Sequence, residues 1–231
     1  MFDKRSTELE RIDIGDYTPE EYAIFLRETA FINRYFGDGR ALKKTLLAEI
    51  DANELREFSV LDVGCGSGEL LRMIAEFAKR TGRKARLIGL DLNPISSTTT
   101  QNWSQRFSEI ESIQGDALSL PFADDSFDHA ISSLFFHHLT DASIVAVLKE
   151  MSRIARRGIF VIDLHRDPVA YVGYKIFCVA FRISPLVRQD GSLSIKKGFR
   201  VDELKQHGAE AGLDECEADH ISPGRIVLRG N

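Results

Sequence analysis

Cysteine is scarce in this chain of 231 residues: Cys65, Cys178 and Cys216 are odd in number, widely separated and free of C-x-x-C spacing. That argues against a disulfide framework and against a zinc site, and a reducing, cytoplasmic setting is expected. A surplus of positive charge is also lacking, with 30 Lys and Arg against 35 Asp and Glu and a formal net charge of −5. Binding a phosphate backbone usually needs such a surplus, so nucleic acid is not the expected partner. No uncharged apolar run is long enough to span a bilayer, and the opening M-F-D-K-R-S-T-E-L-E-R lacks the apolar core of a signal peptide. The length suits one substantial α/β domain with extra segments.

What the chain does have is the stretch F-S-V-L-D-V-G-C-G-S-G-E-L, Phe58 to Leu70. Ser59 to Val63 is mostly apolar and β-branched, as a buried parallel strand should be, and a helical pattern begins after the last glycine. Gly64, Gly66 and Gly68 lack a Cβ, so the turn between strand and helix can take positive φ and admit a ligand close to the main chain. The spacing is G-x-G-x-G, one residue short of the dinucleotide fingerprint G-x-G-x-x-G, which disfavours a nicotinamide oxidoreductase. Asp62 puts a carboxylate beside the turn, where a cationic ligand group fits better than a phosphate.

D-V-G-C-G-S-G resembles the first motif of class I S-adenosylmethionine-dependent methyltransferases, and the resemblance continues in order over roughly residues 58 to 164. It implies a doubly wound, seven-stranded, mostly parallel α/β sheet, S-adenosyl-L-methionine as cofactor, and cofactor contacts around Asp62, Gly64, Cys65, Gly66 and Gly68. The expected layout is a single domain: an N-terminal helical cover (1–56), the cofactor-binding half (57–164), a lid insert (165–200), and a closing helix with a β-hairpin (201–231).

Residues 1 to about 17 read as a loose arm. Thr18 and Pro19 then start a helix that Gly37 stops, and a second helix is expected from about Gly39 to Ala52. This pair either packs against the sheet edge or covers the site, in which case Tyr22 and Tyr35 line the pocket. After the glycine turn comes a helix ending near Gly82, then a strand from Ala85 to Leu92. Asp91 stands at its carboxyl end, where it can accept both hydroxyls of a ribose or cap the helix beginning at Asn93 and Pro94. Trp103 and Phe107 are expected to anchor that helix to the sheet.

A third strand, Ile110 to Gln114, leads into G-D-A, which is similar to the third motif of the family. The resemblance implies that Asp116 reads an adenine amino group, with Ala117 beside it and Leu92 and Leu118 flanking the ring; a turn-forming Asp is the alternative. The fourth strand, Phe127 to Phe135, carries Leu134 into the cofactor site and is followed by F-F-H-H. His137 and His138 sit past a strand's carboxyl end, the side on which open α/β sheets bind ligands. Either one serves as a base or both form the wall around the cofactor. Thr140 caps an amphipathic helix that Arg156, Arg157 and Gly158 should end. His165 follows the fifth strand, Ile159 to Leu164, and completes the set of candidate bases.

The insert is nearly continuous in apolar and aromatic residues and then gains positive charge. It reads either as a buried helix pair with solvated basic ends or as a lid whose Tyr171, Tyr174 and Phe177 wall an apolar acceptor. Its basic residues leave open a peripheral contact with a membrane or an acyl carrier through 168–200. No metal is suggested, and the oligomeric state is left open.

The expected reaction is methyl transfer to a small, largely apolar acceptor, with O-methylation of a phenolic or polyketide-like hydroxyl first. C-methylation of a quinone-type ring is second, and a non-catalytic cofactor-binding protein third. The N-P-P-Y signature of amino-group methylation is absent after the fourth strand.

Overall fold

The computed structural model describes residues 2–231. Seven strands form one sheet in the order β3-β2-β1-β4-β5-β7-β6. They are β1 (Glu57–Val63), β2 (Lys84–Asp91), β3 (Ile110–Gln114), β4 (Phe127–Ser133), β5 (Ala155–Leu164), β6 (Glu217–Ile221) and β7 (Arg225–Gly230). β1 to β5 run parallel, while β7 is antiparallel to both β5 and β6. The order turns back at β1, which lies between β2 and β4, so the crevice outside the carboxyl ends of these strands is a topological switch point.

Six residues of β1 are buried, Phe58 to Val63, because helices cover both faces of the sheet. On one side α4 (Glu69–Thr81) sets Leu70, Leu71, Ile74, Ala75, Phe77 and Ala78 into the core at helical spacing. Each fully buried aliphatic side chain there contributes roughly 1.5–3 kcal/mol. On the other, α6 (Asp141–Ile154) buries Ile144, Val147, Leu148, Met151 and Ile154, and α9 (Val201–Ala211) packs beside it.

The N-terminal cover begins with α1 (Pro19–Phe36), whose capping box joins Thr18 and Glu21 and whose end is Gly37 in the left-handed region. The single helix expected next is two, α2 (Asp38–Lys44) and α3 (Leu46–Ala52). Thr45 separates them at φ −117° and ψ −100°, with its Oγ1 donating to Ala41 O at 2.7 Å. A hydroxyl that bonds back to the preceding turn bends the helix.

Two further expectations fail locally. Arg156 and Arg157 do not close α6; they belong to β5, and both guanidinium groups meet Asp128 at 3.1 Å. Asp128 also accepts from Ser59 N and Oγ, so it fastens β4 to β1 and draws the two arginines into the strand. Trp103, at the end of α5 (Pro94–Trp103), is 38% exposed and lies against Arg72 rather than the sheet, while Phe107 beyond the helix is buried.

The insert forms two helices, α7 (Pro168–Ala180) and α8 (Pro185–Lys197). The arm before α1 is pinned, not loose. Arg5 donates to Lys197 O, Leu139 O and Asp141, and Arg166 donates to Phe2 O at 3.0 Å. No helix among the described residues is long and apolar enough to cross a membrane.

Candidate active site

A cleft of about 1080 Å³ opens at the carboxyl ends of the central strands and runs from the glycine turn to the arm, α7 and α8. Gly64 takes φ +73°, and a Cβ there would lie 2.6 Å from the Phe135 ring. The strand can therefore turn sharply only without a side chain at this position. Gly68, also at φ +73°, caps α4 and packs against Thr100; it does not line the cleft. Cys65 lines it, with a buried thiol that is pushed up by burial and packed over Gly89.

The turn is ringed by carboxylates. Asp62 is buried, its Oδ1 has no hydrogen-bond partner among the described residues, and burial together with the neighbouring Asp91 pushes its carboxyl up to about 8. Asp91 accepts from Gly66 N and Asn93 N at 2.9 Å, which fixes the carboxylate at the strand end. Glu69 also lines the cleft, and burial and Asp38 push it up to about 7. Asp38 is paired with buried Arg225.

Asp116 accepts from Leu118 N at 2.9 Å, and the exposed leucines 92 and 118 line the cleft with it and with Ala117. Leu134 follows β4 at φ +53°, a left-handed conformation in a branched residue, with its amide donating to Ile162 O. Backbone held there by its surroundings concentrates at functional sites.

At the other end of the cleft His137 is buried, and its Nδ1 lies 2.7 Å from Asp163 Oδ1. Its backbone amide donates to the other Asp163 oxygen at 3.2 Å. Burial opposes ionisation of Asp163, but His137 and the Leu164 amide hold its carboxyl below the ordinary range. An ionised Asp163 is an acceptor only, so in the neutral imidazole it is Nδ1 that carries the proton and Nε2 that keeps the lone pair. That Nε2 lies 4.0 Å from Glu10 Oε1.

His138 lines the cleft with its Nδ1 2.7 Å from Asp13 Oδ1. His165 also lines it, but its ring lies tilted against that of His220 at 4.5 Å and its Nδ1 has no hydrogen-bond partner among the described residues; burial and His220 lower its pKa. Lys197 places its Nζ 2.8 Å from Asp13 and 3.2 Å from Glu10. Glu10, His137 and His138 lie close enough to share a cation. Lys197, shared between Glu10 and Asp13, already places a cation beside this cluster.

Of the expected acceptor residues, Tyr22 and Tyr174 line the cleft. Tyr22 donates to or accepts from Ser96 at 2.8 Å, and Tyr174 donates to Val187 O at 2.6 Å. Tyr35, Tyr171 and Phe177 do not line it. Tyr35 and Phe177 belong to an aromatic cluster between α1 and α7 with Phe31, Phe36 and Phe181, and Tyr171 packs on Phe2. On α7 the face carrying Ala170 and Tyr174 turns inward, and Tyr171 and Phe177 lie off it, while Tyr35 stands near the end of α1 and is 56% exposed.

A family model described as "Methyltransferase domain" matches residues 60–158. The chain is 31% identical over 163 residues to a demethylmenaquinone methyltransferase of Bacillus licheniformis, covering 69% of this chain and 67% of that protein. The chain belongs to the class I S-adenosylmethionine-dependent methyltransferases. It is also 34% identical over 100 residues to a 2-phytyl-1,4-naphthoquinone methyltransferase of Thermosynechococcus vestitus, which spans 43% of this chain and 42% of that one. A crystal structure of a SAM-dependent methyltransferase from Aquifex aeolicus superposes with a TM-score of 0.66 at 16% identity, covering 93% of this chain and 98% of that one. That likeness bears on the fold alone.

This methyltransferase thus has its glycine turn and strand-end acids at one end of a cleft and paired histidines at the other. Reading the sequence alone missed Glu10, Asp13, Glu69, Asp163 and Lys197. For Asp163 a signal existed, a single acid inside the apolar run I-F-V-I-D-L. For Glu10 and Asp13 there was none, since the arm is polar and mixed in charge throughout.

Proposed function

We propose that this methyltransferase methylates a ring carbon of a quinol-type, largely apolar small molecule, with His137 as the proton acceptor. The observation that carries the proposal is the buried His137–Asp163 pair, whose histidine lines the same cleft as the glycine turn. The names of the two relatives, both of which specify quinone acceptors, favour a quinone-type ring over the other phenolic acceptors.

The residues present fit the cofactor. Asp62, buried and unpartnered at Oδ1, suits the ammonium group of the methionine portion. Asp91 would take the ribose hydroxyls with the lone pairs its two amide donors leave free. Asp116 would read the adenine amino group between Leu92 and Leu118, and Leu134 would complete the wall. When bound, S-adenosylmethionine supplies an electrophilic methyl on a positively charged sulfur.

The protein's own task is to align the acceptor, exclude water and remove protons. Nε2 of His137 accepts the proton of a ring hydroxyl, and Asp163 stabilises the imidazolium that results. The oxyanion so formed raises electron density on the adjacent ring carbon, which would take the methyl while the sulfur keeps the electron pair of the broken carbon–sulfur bond; that carbon then loses its proton to solvent, which restores the aromatic ring, and the ring oxygen recovers its proton from His137. Tyr22, Phe25, Leu26, Tyr174, Val187 and Ile195 supply a mostly apolar enclosure.

The test is to incubate the protein with methyl-labelled S-adenosylmethionine and a reduced naphthoquinone, and to locate the label by carbon NMR. A ring-methyl signal is expected. A methoxy signal would replace this reading with O-methylation of a phenolic hydroxyl, and binding of cofactor without any transfer would favour a non-catalytic binding protein.

A further inference from the structure

Helix α7 has two faces of opposite circumstance. Ala170 and Tyr174 face the cleft, and Tyr174 and Cys178 pack into a small cluster with Ile32, Ile183, Val187 and Ile195. On the other side Val169, Val172, Ile176 and Val179 recur at helical spacing and stay open, with Val169 76%, Ile176 65% and Val179 69% exposed. Phe181 and Tyr35 extend this strip, half exposed, from the aromatic cluster. A helix apolar all round is normally buried on every side, and a contiguous exposed apolar strip marks an interaction surface.

The charge around the strip indicates what covers it. Residues 168–200 contain Lys175, Arg182, Arg188, Lys196, Lys197 and Arg200 against Asp190 alone, in a chain whose net charge is −5. Lys197 and Asp190 are buried, which removes one charge of each sign from the surface. Lys175 and Arg182 remain exposed on and just beyond α7, and Arg188 is exposed on α8. Aliphatic side chains along one helix face with cations at the margin fit the boundary between acyl chains and anionic headgroups. We infer that the outer face of α7 docks this protein onto an anionic phospholipid surface, and that it does so in the interfacial plane, without spanning.

The geometry gives the contact a use. α7 is a single wall, lipid-facing outside and cleft-facing inside, so an acceptor dissolved in the bilayer would reach the cleft past one helix edge. The inference itself rests on the exposed strip and its charges, and not on which acceptor atom is methylated.

The experiment is flotation of the whole protein with vesicles of pure phosphatidylcholine and of phosphatidylcholine with phosphatidylglycerol. Three forms are compared: the natural protein, the variant Ile176→Asp, and the double variant Lys175→Glu with Arg182→Glu. The natural protein should float with the anionic vesicles and far less with the neutral ones. Each variant should partition about tenfold more weakly or worse, with S-adenosylhomocysteine affinity and melting temperature unchanged. Equal flotation of Ile176→Asp and the natural protein would overturn the proposal, as would failure of the natural protein to float. Sedimentation velocity supplies the remaining arm: if Ile176→Asp converts a dimer to a monomer, the strip is a contact between copies and the lipid proposal falls. Binding of purified acyl-carrier protein in place of anionic vesicles would overturn it equally.

Discussion

Asp163 holds His137 by two contacts at once, through the imidazole Nδ1 at 2.7 Å and through the backbone amide at 3.2 Å. One carboxylate therefore fixes both the tautomer of the ring and the position of the turn that carries it. His137→Ala should lower kcat by about 10²–10⁴-fold, the usual contribution of a positioned base, with S-adenosylhomocysteine affinity unchanged by calorimetry. Asp163→Asn should lower kcat as well, since the amide can pair with the other tautomer and turn the proton-bearing nitrogen toward the cleft.

Asp91→Ala should weaken binding of S-adenosylmethionine by about 1.5–3 kcal/mol, the loss of hydrogen bonds to a charged acceptor. Titration calorimetry measures it, and unchanged affinity would remove Asp91 from the cofactor site.

Asp62 should give the cofactor-free protein a stability component that falls with pH, opposed below about pH 6.5 by buried His129, which burial pushes down to about 4. Its carboxyl, ordinarily at 3.8, titrates at about 8 when folded. The folded state then binds the proton more tightly than the unfolded state. The resulting stabilisation is fully present below about pH 4 and is lost as pH rises through about 8. Glu69, raised to about 7 by burial and Asp38, acts in the same direction. Thermal melts from about pH 6.5 upward should show a falling melting temperature. Asp62→Asn should flatten the slope and weaken cofactor binding, because the ammonium group loses its counter-charge.

Asp38→Ala should destabilise the fold by about 3–5 kcal/mol, because it leaves the guanidinium of Arg225 buried without its partner. Urea denaturation of the single variant and of Asp38→Ala with Arg225→Met separates a lost attraction from a stranded charge. The double variant should recover most of the loss.

Gly64→Ala should fail on two counts, positive φ and the approach of Phe135. A loss of at least about 1 kcal/mol is expected from the backbone alone, with the cofactor site distorted in whatever protein folds. Chemical denaturation and calorimetry on the same sample report the two effects.

What the sequence conveyed was local and contiguous. β1, the glycine turn and Asp91 follow from short-range rules, since a buried parallel strand is continuous in apolar residues and a positive-φ turn calls for glycine. The break at Thr45 was not legible, because Leu42, Leu46 and Ile50 keep their helical spacing across it. The extension of β5 to Ala155 was hidden for another reason: Arg156 and Arg157 read as a helix end until Asp128, on the neighbouring strand, is seen to claim both.

The acceptor end was illegible for a topological reason. His137 stands on the turn after β4 and Asp163 on β5, the neighbouring strand, but Glu10 and Asp13 come from the arm and Lys197 from the far end of α8. No window along the chain contains them together. Tyr35, Tyr171 and Phe177 illustrate the converse, for aromatic residues near the right element fall on the wrong face when only the helix, and not its rotation, is known.

The arm's attachment has a consequence for the order in which the enzyme is put together. The proposed cofactor end draws on residues 62 to 134, whose contacts close shorter loops. The proposed acceptor end waits for a segment near residue 10 to meet one near residue 197, a far longer loop closure than those within the proposed cofactor end and more costly in chain entropy. On warming, that crossing should part before the glycine turn and its strand-end acids do, leaving a chain that still holds its cofactor and no longer encloses anything to methylate.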